Sequence, residues 1–273
     1  MFQECLEEVR KKKPLVHNIT NYVTVNDCAN ILLACKASPI MADDVEEVEE
    51  ITAICSGLNL NIGTLNQRTI QAMKLAGKKA GQLGHPILLD PVGAGASALR
   101  TRTARELLED LKISAVRGNS SEIKTLALGT GATRGVDADI SDRITEDSLE
   151  KAAAFAKAFS KKTGAVIAIT GAIDIVADEE KAFCIFNGHP MMSSITGTGC
   201  QLSAMMTAYI CANPDRRTEA AAAAVAAMGV CGEKAYESLT VQDGNTAYRS
   251  RIIDQVFHLT GEELEKRAKY KLL

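Results

Sequence analysis

The chain of 273 residues sets 31 Lys and Arg against 34 Asp and Glu, a formal net charge of −3, with the two signs interspersed. That balance offers no basic stripe to a nucleic acid, and an aromatic content of 4% with no Trp offers no platform for stacked bases. No apolar run approaches the ~18 residues of a membrane span, and the opening MFQECLEEVR is acidic where a secretion signal would be apolar.

A soluble, cytoplasmic protein without nucleic-acid or membrane partners is therefore expected. Folding should bury roughly three quarters of the unfolded surface of a chain this long. No Pro/Gly/Ser-rich linker divides it, so residues 1–273 read as a single domain. The 8 cysteines include no C-x-x-C pair. They read as small apolar residues in a reducing compartment.

In chain order, short apolar runs alternate with helical patterns. Leu15 to Ile19 precedes a helix near Val25 to Cys35, and Asn59 to Ile62 precedes one near Asn66 to Leu83. The runs Ile87 to Leu89 and Ile113 to Val116 are each followed by a helix as well. Such alternation predicts an α/β fold with a mostly parallel central sheet and helices on both faces. Ala165 to Ile169 is another buried strand, but Ile173 to Ala177 follows too soon for a parallel crossover. Phe183 to Phe186 then runs into Asn187 and Gly188, a hairpin turn pair, before Pro190 to Met192. These segments predict an antiparallel edge. The remainder reads as helical: Gln201 to Cys211, the Ala-rich Thr218 to Glu237, Ala247 to His258, and a last helix opening at Thr260 with Glu263 as its capping-box partner.

Three segments carry candidate chemistry. In MMSSITGTGCQLSAMM, the turn Thr196 to Cys200 opens a helix, and a helix start with glycines combines free N–H groups, the positive macrodipole end and close access to the backbone, which suits a phosphate. Cys200 in that first turn is expected to be partly thiolate, because a helix N-terminus lowers a thiol's pKa. In ILLDPVGAGASA, Asp90 ends a buried strand at the crevice where α/β sheets bind ligands. The G-x-G-x-x-A that follows is a poor dinucleotide fingerprint, since Pro91 interrupts the turn and no acid ends a second strand about 20 residues on. Gly77, Lys78 and Lys79 do not make a Walker A loop. In RGNSSEI, Asn119 and Glu122 fall on the same rim as Asp90 with Arg117 nearby. Hard oxygen donors there suit Mg²⁺ held through waters and phosphates, while Asn119 as an N-cap with Glu122 at N3 accounts for the same pair structurally.

Taken together, HNITN (17–21), ASPIMA (37–42), LNIGTL (60–65), LLDPVGAGAS (88–97), RGNSSEI (117–123), IAITG (167–171) and ITGTGC (195–200) resemble hydroxyethylthiazole kinases over nearly the whole chain. The N-x-x-E of Asn119 to Glu122 and the glycine turn of Gly197 to Cys200 are similar to the ribokinase-like superfamily to which those kinases belong. The resemblance implies ATP-dependent phosphorylation of 4-methyl-5-(2-hydroxyethyl)thiazole, an intermediate of thiamine salvage. It implies thiazole contacts at Asn21, Val23, Met41 and Gly197, Cys200 beside the reacting hydroxyl, and ATP contacts at Arg117, Asn119, Thr170 and Gly199. It also associates Asp90 and Glu122 with Mg²⁺ and phosphate, and it implies a homotrimer with sites at subunit boundaries, where Gly63 reaches a neighbour's site. Tyr22 and Asp27 have no counterpart in this reading. A related kinase for a pyrimidine or sugar alcohol would share Asn119, Glu122 and the glycine turn but usually carries Asp in place of Cys200; an ATP-dependent NADH-hydrate dehydratase would also bind ATP but would lack HNITN and ASPIMA; a non-enzymatic nucleotide-binding regulator would keep the phosphate loop with little reason to keep a thiol and two acids at one rim.

Overall fold

In a computed structural model of the protein, residues 1–129 and 144–273 are described. Helix α1 (Phe2–Lys12) leads into β1 (Leu15–Ile19), α2 (Val25–Ala34), β2 (Ser38–Met41), α3 (Val48–Ile54) and β3 (Gly57–Asn61). Then come α4 (Gln67–Leu83), β4 (Ile87–Asp90), α5 (Ala98–Asp110), β5 (Ala115–Asn119) and α6 (Ser120–Gly129). The second half runs α7 (Leu149–Thr163), β6 (Val166–Thr170), β7 (Asp174–Ala177), β8 (Ala182–Ile185), α8 (Thr198–Ala212), α9 (Arg217–Glu237), α10 (Asn245–His258), α11 (Gly261–Arg267) and β9 (Tyr270–Leu272).

The strands form one nine-stranded sheet in the order β2-β1-β3-β4-β5-β6-β7-β8-β9. The pairs from β2 to β6 are parallel, and those from β6 to β9 are antiparallel. The expected α/β architecture with an antiparallel edge is thus present. Strands covered on both faces, such as β4 and β8, are buried at every residue, which is why they read as apolar runs. One apolar core lies under α1, α2, α8, α9, α10 and α11; the other lies under α3 to α7. The Ala-rich α9 is buried almost throughout, its small side chains allowing close approach to α8.

Helix ends follow local chemistry. Asn66 and Thr69 form a reciprocal capping box at the start of α4, and Gly84 closes that helix at φ 70°. At α11 the Thr260 hydroxyl does accept from the Glu263 N–H, but the Glu263 carboxylate is paired with Lys234 and Arg267. The edge differs from expectation more substantially. Asn187 and Gly188 do not turn a hairpin, and Pro190–Ser194 is a 3₁₀ segment. Asn187 instead accepts from the Lys269 N–H at 2.7 Å and donates to the Arg267 carbonyl at 3.0 Å, so the C-terminal β9 takes the place beside β8.

The chain reverses direction across the sheet at β1, which has β2 on one side and β3 on the other. Segments leaving the C-terminal ends of β1 and β3 therefore diverge and open the crevice that α/β sheets use for ligands. On the α8 face of the sheet, Asn61, Asp90 and Thr170 end β3, β4 and β6, and Arg117 projects from the middle of β5 between them, beside that crevice.

Candidate active site

Gly197 is the residue before α8 and sits at φ +90°, a left-handed conformation that an L side chain adopts only with strain. A Cβ there would also lie 2.6 Å from Thr24 Cγ2. The first-turn N–H groups of α8, those of Thr198, Gly199 and Cys200, have no acceptor within the helix and carry its positive dipole end. The Arg117 guanidinium lies directly against Gly199, in space that any Cβ at 199 would occupy. Glycine at 199 is thus what allows a cation and a helix start to converge on one point.

Arg117 is held from two sides. It donates to the Thr170 hydroxyl at 2.7 Å and approaches Asp90 Oδ2 at 3.5 Å, and its own side chain is only 12% exposed. Asp90 is fully buried, and the same Oδ2 also accepts from Asn61 Nδ2 and Ser203 Oγ, each at 2.8 Å. Its Oδ1 has no partner. Burial pushes the Asp90 carboxyl above the usual carboxylate range and the Glu122 charge adds to this, while Arg117, Ser203 and Asn61 pull the other way.

Cys200 departs from the sequence expectation of a partly ionised thiol. Its pKa is raised, first by burial and then by the Asp90 carboxylate, and the opposing help from Thr24, Asn21 and Arg117 does not reverse this. The helix start is only one influence, and desolvation beside a negative charge outweighs it. The sulfur accepts from Asn21 Nδ2 at 3.2 Å and from Asn61 Nδ2 at 3.3 Å.

Asn119 and Glu122 form the reciprocal pair that the sequence left as one of two options. The Asn119 side chain accepts from the Glu122 N–H at 2.9 Å, and Glu122 Oε2 accepts from the Asn119 N–H at 2.8 Å. Glu122 Oε1 accepts from the Gly93 N–H at 2.8 Å, so this carboxylate also clips the loop after β4 to the start of α6. Among the described residues no group of three or more His, Cys, Asp or Glu side chains converges as a metal cage. A free buried oxygen on Asp90 with Glu122 nearby suits a cation of the Mg²⁺ kind, which takes one or two carboxylates and completes its shell with waters and phosphates.

The substrate-side residues flank this cluster. Asn21 bridges Asn61 and Cys200, and Gly63 donates its N–H to Asn61 Oδ1 at 2.9 Å. Met41 ends β2 half-buried against the core cluster that Cys200 also joins. Val23 and Tyr22 are 59% and 77% exposed, so this chain alone does not enclose them. Asp27 lies near Gly197 and is paired with Arg249 of α10 at 3.6 Å. His17 is not part of the cluster: its Nε2–H is given to the Ala42 carbonyl and its Nδ1 accepts from Thr52, a neutral tie between β1 and the segments beside it. Asn61, Ser203 and Thr24 are not singled out by the sequence, because Asn61 lies within a run that reads as a buried strand and Ser and Thr at a helix start or in apolar helical surroundings read as capping and packing.

Asp174, at the start of β7, extends the cluster's electrostatics. Burial raises its carboxyl to about 7, against the Gly171 N–H and the Arg117 charge that favour ionisation. Its folded pKa exceeds the unfolded value of about 3.9, so the folded state binds the extra proton between those values and stability falls as pH rises through that window. Asp174→Asn keeps an acceptor for Gly171 and removes the charge. It is expected to raise Tm by a few degrees above pH ~7 and to change it little below pH ~4. Thermal scans giving the same difference at both pH values would count against this assignment.

A family model described as the hydroxyethylthiazole kinase family matches residues 6–262. A hydroxyethylthiazole kinase of Clostridium acetobutylicum is 64% identical over 271 residues, covering 99% of each chain. The structure of a hydroxyethylthiazole kinase from Pyrococcus horikoshii OT3 superposes with a TM-score of 0.89 at 33% identity, covering 100% of this chain and 98% of that one. A ribokinase-like superfamily protein of Enterococcus faecalis V583, 13% identical with a TM-score of 0.64 and covering 95% of each chain, shares the fold. With a full-length match to its sequences and to a solved member, this chain belongs to the hydroxyethylthiazole kinase family.

Proposed function

We propose that the protein transfers the γ-phosphoryl group of ATP to the hydroxyl of 4-methyl-5-(2-hydroxyethyl)thiazole, as in thiamine salvage. The observation that carries the reading is the Arg117 guanidinium seated under Gly199 at the start of α8, which gives one point both a cation and unpaired N–H donors. Phosphoryl transfer passes through a loose transition state, so positioning and charge stabilisation supply most of the rate. In this reading α8 and Arg117 receive the transferring group, Arg117, Asn119, Thr170 and Gly199 hold the nucleotide, and Asn21, Val23, Met41, Gly63 and Gly197 face the thiazole. Asp90 and Glu122 would hold Mg²⁺, directly or through water; when bound it neutralises phosphate charge. The whole chain 1–273 acts as one kinase domain in the cytoplasm, in keeping with 8 unpaired cysteines. It needs no nucleic-acid or membrane partner, and no helix among the described residues is long and apolar enough to cross a membrane. The exposure of Tyr22 and Val23 supports a homotrimer in which a neighbour completes the pocket; a fully active monomer in sedimentation at assay concentration would remove that part.

The test is ADP release with ATP, Mg²⁺ and a panel of alcohols. The thiazole should be turned over far faster than a hydroxymethylpyrimidine or a sugar, and excess chelator should stop the reaction. Preference for another alcohol would replace the substrate, and full turnover in chelator would remove the metal. Cys200 sits where related kinases carry a carboxylate, and its raised pKa makes it a poor base at neutral pH. Since the alcohol's proton leaves late in a loose transfer, Cys200→Ala is expected to lower kcat only about 10- to 100-fold. Cys200→Asp should stay active. An inactive Cys200→Asp beside a fully active Cys200→Ala would mean that the thiol merely packs.

A further inference from the structure

Asn61 is 1% exposed, ends β3 in register with Asp90, and is hydrogen-bonded to Asn21, Gly63, Asp90 and Cys200. Its amide orientation is determined. The Gly63 N–H can only donate, at 2.9 Å, so the atom facing it is Oδ1, and Asn21 Nδ2 reaches the same oxygen at 2.9 Å. The Asn61 NH₂ must then point the other way, where its two hydrogens have two acceptors: Asp90 Oδ2 at 2.8 Å and Cys200 Sγ at 3.3 Å.

Asn21 is fixed by the same logic. Its Oδ1 accepts from the Thr24 N–H at 3.2 Å and from the Thr24 hydroxyl at 3.1 Å, leaving its NH₂ to serve Asn61 Oδ1 and Cys200 Sγ. Two backbone N–H groups thus set two amides, and both amides present a donor to one sulfur. An amide whose four hydrogen-bonding sites are all occupied is a rigid element, because turning it would bury unmatched groups.

Building on the kinase reading, we propose that Asn61 is a positioning residue: with Asn21 it holds the Cys200 sulfur by two amide N–H donors and ties that sulfur to Asp90 at a set distance. The acid on the phosphate side and the group beside the reacting hydroxyl are then parts of one frame rather than independent side chains. Losing Asn61 leaves Asp90 Oδ2 with Ser203 and Arg117 but leaves the sulfur with only one amide, so the loss falls mainly on Cys200.

The test is a double-mutant cycle in kcat, with an infrared readout that needs no turnover. Asn61→Ala is expected to lower kcat about tenfold with KM for ATP within about twofold, and to cost no more than about threefold when Cys200 is already Ala, since coupled residues are non-additive. Asn61→Leu keeps the volume and adds no charge against Asp90, but has no N–H for the sulfur; it should reproduce the kcat loss and covers the case in which the cavity left by Asn61→Ala makes that variant fold poorly. The S–H stretch of Cys200, isolated as the difference from Cys200→Ala, should shift in both Asn61 variants. Equal kcat losses in both Cys200 backgrounds, or an unmoved S–H band, would overturn the proposal. A parent enzyme that ignores the thiazole would sink the substrate assignment instead, and the infrared result would still decide the role of Asn61.

Discussion

Replacing Asp90 by Asn is expected to lower kcat by about 10²–10³ while leaving the protein at least as stable as the parent. The two halves of that expectation come from the same burial. The Asp90 carboxylate is fully enclosed and its pKa is raised, so the folded state bears a cost for keeping it ionised that the unfolded chain does not. An amide removes that cost. It also places an NH₂ in a setting where Asn61, Ser203 and Arg117 all donate to one oxygen, so the amide oxygen must take that position and the NH₂ must take the place of Oδ1. Oδ1 is the oxygen that has no partner in the protein and is therefore the one available to a ligand. A donor in place of that acceptor, and an Arg117 without its nearest counter-charge, should remove most of the phosphoryl-transfer rate. Steady-state kinetics paired with thermal unfolding read both halves. A kcat within tenfold of the parent would show that Asp90 is only a buried support for Arg117.

What the sequence disclosed and what it hid both have physical reasons. Strands buried on two faces, such as β4 and β6, show themselves as unbroken apolar runs, and their alternation with helices was enough for the architecture. Strand β2 went unseen because it is a half-buried edge containing Pro39, and β9 because it is three exposed residues with a lysine in the middle. Neither has a burial pattern for composition to reveal; their pairing depends on the neighbour each happens to meet. The misread turn at Asn187 has the same origin. An Asn-Gly pair favours a hairpin locally, but the Asn187 side chain spends its hydrogen bonds on Arg267 and Lys269, residues far along the chain. At the site, the glycine turn and Asp90 were legible because strand ends and helix starts are local features, and Arg117 because it immediately precedes the Asn119 to Glu122 motif. The thiol of Cys200 was not, since its proton affinity is set by burial and by Asp90, which reach it only through the fold. Asn61 was hidden for the same reason, three of its four partners, Asn21, Asp90 and Cys200, lying on separate segments of the chain.

Gly199→Ala is expected to lower kcat/KM for ATP by about 10²–10³, and the cause should be traceable to a single side chain. Alanine is the better helix former, and position 199 lies inside the first turn of α8, so backbone preference alone would favour the substitution. The obstacle is the Arg117 guanidinium, which fills the space a Cβ would need. Arg117 is 12% exposed and bonded to Thr170, with Asp90 beyond, so it can leave only by giving up the hydrogen bond and the ion pair together. The planar group would have to swing toward the volume in which a phosphate must sit, turning a contact that stabilises charge into an obstruction. If that is the mechanism, Gly199→Ala should cost little, about threefold or less, in a protein that already carries Arg117→Ala, because the collision partner is gone. The same loss in both backgrounds would mean that glycine is required for the ligand's own approach to the backbone, and that Arg117 merely lies alongside. Kinetics of the four forms separate the two accounts, and the outcome decides whether the glycine turn is shaped by its substrate or by the cation placed beneath it.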